Sequence, residues 1–138
     1  MRYVTREHIH VDRIATAWAI RRFIDPHASF AFFPRGQDLS VVDGITFDVR
    51  GAELGHRRGR CTLDALIEKY EIADEPLHRM ARIIRGADLP NDDGEPLESA
   101  GILAVFTGVR DGCDTDEERL ERGTVVCDAL YTYCASSR

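Results

Sequence analysis

Three polar residues alternate at the start of the chain: His8, His10 and Asp12. In an extended segment, period-two geometry turns all three to one side and offers two imidazoles and a carboxylate at ligand-like spacing. A second group follows Asp48, in the run Glu53-Leu54-Gly55-His56-Arg57-Arg58, with Arg60 and Cys61 just behind. Carboxylates with imidazole suit zinc, manganese or iron, and planar guanidinium groups suit oxyanions. The metal candidates are therefore Asp12, Asp48, Glu53, His56 and His10, and Arg13 and Arg57 form the anion-binding rim. Competing readings stand beside these: Asp12 as an ordinary helix cap, the histidines as solvated side chains, and the arginine loop as a partner for acids elsewhere.

Other motifs narrow the chemistry. The spacing matches neither HExxH nor paired CxxC, and GxSxG and a phosphate loop ending in Lys-Ser/Thr are absent, so a protease, finger or P-loop reading has no basis. Cys61 stands at a helix start beside three arginines, where a thiol pKa is lowered, and it is the redox candidate. Arg85-Gly86-Ala87-Asp88 reads as a helix stop with Gly86 in the left-handed position, and Asp88 then supports the site only if that helix packs beside the loop. His78 reads as a surface or satisfied helix residue.

The elements that must position these residues follow from periodicity. Arg2–Thr5 reads as a short strand. Asp12 is a good N-cap for a helix over 13–24, where Ile14, Ala17, Trp18 and Arg21 share one face, and Trp18 is expected in the core. Asp25-Pro26 ends it. Ser29–Pro34 and 45–49 read as further strands, and 50–60, with three glycines, as loop. From Cys61 onward four helical stretches are expected, over 63–70, 76–86 (opened by Asp74), 98–110 and 115–134. Thr115-x-x-Glu118 reads as a capping box, and Leu77, Met80, Ala81 and Ile84 as a buried stripe. The expected fold is α/β (or α+β): a small, parallel three-stranded sheet in the N-terminal half followed by about four helices. A parallel sheet gathers Asp12, Asp48, Glu53 and His56 at its carboxyl edge, where ligands bind.

At 138 residues the chain is one domain, 1–138, with 43% apolar and 30% charged residues, a composition that excludes disordered and fibrous classes. The net charge of −6 argues against coating nucleic acid, but it is unevenly spread. Residues 1–60 carry ten arginines against seven acids, and residues 61–138 carry eight bases against seventeen acids. Four of the five histidines lie in the first part, so site chemistry is expected there. The four cysteines are scattered, and no signal peptide or long apolar run occurs, so a cytoplasmic protein with reduced thiols is expected.

Several segments together carry a family resemblance. Val11-Asp12-Arg13-Ile14-Ala15, Trp18 to Pro26, Phe47-Asp48-Val49, Gly51-Ala52-Glu53-Leu54-Gly55-His56, Arg60-Cys61-Thr62, Arg85-Gly86-Ala87-Asp88 and Asp128-Ala129-Leu130-Tyr131 resemble the C-terminal domain of ChrB-type chromate resistance proteins. The resemblance covers nearly the whole chain. It implies resistance to, or sensing of, chromate, with Asp12, Arg13, Glu53, His56 and Asp88 in the family's polar positions. The expected partners are a small oxyanion such as chromate and a divalent metal. No direct contact with nucleic acid or membrane is expected, and a homo-oligomer or a regulatory protein partner is allowed for. The alternative is an enzyme: a metal-dependent hydrolase similar in plan to DHH-type phosphoesterases, though lacking the DHH triplet, or a redox enzyme using the metal or Cys61.

Overall fold

The structure is a computed structural model, and it describes residues 1–49, 54–55, 60–90 and 94–136. Three parallel strands, β1 (Arg2–Arg6), β2 (Ser29–Phe33) and β3 (Ile45–Thr46), form a sheet in the order β2-β1-β3. Tyr3 pairs with Phe30 on one side and with Ile45 on the other. Its ring lies 5.8 Å from that of Phe30 and 6.5 Å from that of Phe47, so the register that pairs the strands also builds an aromatic cluster on the core face. The expected α/β fold is therefore present, but the third strand is shorter than expected. Phe47 still donates its N–H to Val4 and forms a bridge with Leu54, whereas Asp48 turns away at a φ of +48°.

The helix α1 (Val11–Ala19) connects β1 to β2 and runs through the middle of the core. Of its nine residues only Arg13 escapes burial, which explains why its sequence is small and apolar on nearly every side. Its continuation differs from the expectation of one α-helix to residue 24. Ile20–Ile24 forms a π-helical turn in which Asp25 N–H reaches back five residues to the Ile20 carbonyl at 2.7 Å. The turn widens the helix where Arg22 lies over the rings of Trp18 and Tyr131.

Four helices follow the sheet, as expected: α2 (Thr62–Lys69), α3 (Glu75–Asp88), α4 (Glu98–Gly112) and α5 (Asp116–Ser136). Asp74 caps α3 by accepting the Leu77 N–H at 3.0 Å, and Leu77, Met80, Ala81 and Ile84 form its buried stripe. Thr115 caps α5 by accepting the Glu118 N–H at 3.1 Å. Gly86, expected to end α3, instead lies inside it, and the helix runs on to Asp88. The glycine is needed for close approach: a Cβ there would collide with the Ser99 hydroxyl, which bonds to the Ile83 carbonyl and locks α4 against α3. Among the described residues no helix is long and apolar enough to cross a membrane.

Candidate functional site

The carboxyl ends of β1 and β2, the start of α1 and the end of α3 enclose an open cleft of about 1120 Å³. His10, Asp12, Arg13, Asp48 and Asp88 line it together with Arg6, Arg35, Asp38 and Gly55. This is the sheet edge at which parallel α/β folds bind ligands. Glu53, His56 and Arg57 fall outside the described residues, although their neighbour Gly55 lines the cleft.

Asp12 sits in this site for a different reason from the one expected. His10 occupies the N-cap position of α1, and Asp12 lies in the first turn. Its carboxylate reaches across to the start of α2, accepting the backbone N–H of Thr62 at 2.8 Å and of Leu63 at 3.1 Å. Asp12 is thus a cap for α2, supplied from 50 residues away, and it satisfies donors that α2 cannot satisfy within itself. Thr62 completes the arrangement, because its hydroxyl donates to Asp48 Oδ1 at 3.0 Å. One residue thereby holds two acids of the cleft.

Burial raises the Asp12 pKa to about 7; the charges of Asp48 and then Asp88 add to the rise, and the two backbone bonds oppose it. Asp48 is also buried, at 8% exposure, and takes a backbone conformation that asparagine and aspartate tolerate better than most residues. It is anchored on both sides. Its N–H donates to Leu54, its carbonyl accepts Arg13 Nη2 at 3.0 Å, and its carboxylate lies 3.3 Å from Arg13 Nε. Strain held in place by this many bonds is characteristic of functional sites.

The alternating histidine idea does not survive as drawn. His8 has a φ of +62° and an exposed ring, because its N–H and that of Ile9 both donate to the Asp116 carboxylate at 2.9 Å. That grip breaks the extended geometry and turns His8 away from the cleft lining, leaving only His10 and Asp12 there. His10 is half-buried, and its Nε2 lies 3.3 Å from the Thr107 hydroxyl. Burial, helped by Arg110, lowers its pKa and favours the neutral imidazole.

Cys61 is fully buried and donates its thiol to Asp64 Oδ2 at 3.3 Å. Burial and the acids Asp12 and Asp64 push its pKa up, opposite to the direction expected from the neighbouring arginines. Of those arginines Arg60 goes to Glu68, at 2.7 Å, while Asp64 pairs with Arg85 of α3, at 3.3 Å. His78 bonds the Ile72 carbonyl at 2.7 Å, as a satisfied helix residue.

The lining residues that were not among the sequence candidates include two arginines, Arg6 and Arg35. The signal for Arg6 was its place at the end of the first strand, and for Arg35 the Pro-Arg-Gly turn directly after the second. Among the described residues, no three His, Cys, Asp or Glu side chains are grouped to hold a metal ion. No buried side-chain nitrogen or oxygen there lacks a partner.

The fold and cleft define a small α/β domain with an acidic floor and a guanidinium rim at the carboxyl edge of a parallel sheet. The family model described as "ChrB, C-terminal domain" matches residues 3–134, and the chain belongs to that family. It is similar to "Protein ChrB" of Cupriavidus metallidurans, with 36% identity over 140 residues covering 99% of this chain. The chain spans 41% of that curated relative's length. No solved structure matches it. The comparisons give no support to a phosphoesterase or redox enzyme.

Proposed function

We propose that this domain is a chromate-response module that binds a small oxyanion in the cleft, next to a divalent metal on its acidic floor. The observation that carries the reading is the Asp12–Thr62–Asp48 arrangement with Arg13 against Asp48, which fixes acids and a guanidinium at one sheet edge. Nothing in the overall charge of −6 predicts a cationic group held there. The metal would be zinc, manganese or iron, held by Asp48 and Asp12 with the neutral imidazole of His10, and completed by Glu53 and His56. Both Asp12 oxygens already accept backbone amides, so Asp12 would contribute its remaining lone pairs, and Asp48 would be the stronger ligand. The oxyanion would be held by Arg13 and Arg57, with Asp88 shaping the field from the end of α3.

Metal analysis of purified protein and chromate binding by equilibrium dialysis test the two halves. Wild type is expected to carry stoichiometric metal that Glu53→Ala and His56→Ala lose, and to bind chromate with an affinity that Arg13→Ala weakens. Metal-free wild type, or unchanged metal in both variants, would remove the metal from the reading. Absence of chromate binding would remove the oxyanion.

A further inference from the structure

Directly after β2 the chain reverses over Pro34-Arg35-Gly36-Gln37. Gln37 N–H donates to the Pro34 carbonyl at 3.2 Å, and Gly36 has a φ of +101°, as a type II turn requires at its third residue. Arg35 therefore occupies the second position, at the tip. The turn is clamped from β1, because Arg6 Nη1 donates to the carbonyls of Pro34 at 2.9 Å and Gln37 at 2.6 Å. Asp38, the nearest acid in sequence, accepts both the N–H and the hydroxyl of Ser40, at 2.9 and 2.6 Å. Arg35 itself makes no hydrogen bond or ion pair among the described residues, yet it lines the same cleft as Arg13.

A solvated arginine needs no clamped turn beneath it. Here a second guanidinium, that of Arg6, holds the turn, and the tip residue's five N–H donors are left to the cleft. Fixing the backbone under a donor lowers the ordering cost of binding and favours a planar, bidentate contact. We propose that Arg35 is a specificity-determining residue for a tetrahedral dianion in this cleft, adding a guanidinium whose donors are not already taken to that of Arg13, which Asp48 holds in place. The proposal rests on the oxyanion reading above and adds a residue that reading did not contain. Chromate and sulfate share this charge and shape, so both anions belong in the test.

Equilibrium dialysis of the full chain with chromate, and separately with sulfate, would be run on wild type, Arg35→Ala, Arg35→Lys and Arg13→Ala, with thermal melts of each. Arg35→Ala is expected to weaken binding roughly tenfold without moving the melting temperature, as loss of a charged hydrogen-bonding group implies. Arg35→Lys keeps the charge but loses the fork, and is expected to fall between the two. Dependence on Arg35 for either anion supports the proposal, and the anion that shows it identifies the ligand. If Arg35→Ala binds like wild type while Arg13→Ala is weakened, the proposal fails and the oxyanion reading stands. If wild type binds neither anion, both fail.

Discussion

The Asp12 carboxylate accepts the Thr62 N–H at 2.8 Å, so the first helix of the domain caps the second. Removing that carboxylate leaves two buried amides without acceptors and the Thr62–Asp48 pair without its neighbour. Asp12→Ala is expected to destabilise the domain by about 2–4 kcal/mol, combining a lost cap with unsatisfied buried donors. For a domain of this size the melting temperature would drop on the order of 10 °C. A melt within a few degrees of wild type would show that the cap carries little of α2's stability.

The same carboxylate makes stability depend on pH. Its folded-state pKa, about 7, lies above the ordinary carboxylate value of 3.8, so the folded state binds a proton more readily than the unfolded chain between those values. The stabilisation from that proton is complete below about pH 4 and is lost as pH rises through 7. Relative to Asp12→Asn, which has no proton to lose, wild type is expected to gain stability steadily from pH 8 down to pH 4. Denaturant midpoints at several pH values check this, and parallel profiles for the two proteins would refute it.

Gly86 packs α3 on α4 at a distance no side chain tolerates. Alanine is the better helix former by about 1 kcal/mol, yet here its methyl group would displace Ser99 and break the bond to the Ile83 carbonyl. Gly86→Ala is expected to be destabilising by about 1–3 kcal/mol. A melt equal to or above that of wild type would mean that the helices separate without penalty.

Much of the scaffold was legible in the sequence because it rests on local periodicity. Leu77, Met80, Ala81 and Ile84 repeat at helical spacing, and Tyr3-Val4-Thr5 is a β-rich run, so α3 and β1 could be read directly. Asp12 and Asp48 were placed at one edge by topology alone. What could not be read was long-range: Asp12 looks like a cap for its own helix, and the 50-residue reach to Thr62 leaves no local trace. The His8-His10-Asp12 alternation was overridden in the same way by Asp116, more than 100 residues downstream. Arg35 escaped because a turn-tip arginine has the same pattern whether it faces solvent or a cleft.

Asp116 provides the next prediction. It accepts the N–H groups of both His8 and Ile9 at 2.9 Å and pairs with Arg119 at 3.1 Å, while being 8% exposed itself. Asp116→Ala leaves two loop amides without this acceptor and the Arg119 guanidinium, still held by the Arg110 and Cys113 carbonyls, without its carboxylate, and should cost about 3 kcal/mol. Hydrogen exchange localises the effect: the His8 and Ile9 amides are expected to lose protection first. Unchanged protection at those two amides would show that another group holds the loop.

The cysteines give a chemical test of the interior. All four are buried, and Cys61, Cys127 and Cys134 have pKa values pushed up chiefly by burial, so the thiolate needed for attack is scarce in the folded protein. Cys61 is reinforced by the negative field of Asp12 and Asp64. With a disulfide reagent at pH 8, the native protein is expected to react only as fast as it opens, roughly a thousandfold or more slower than an exposed thiol. In denaturant all four should react at once. Peptide mapping after brief labelling decides the matter for Cys61: rapid modification of that residue in the folded protein would place it at the surface of the cleft and restore it as a redox group.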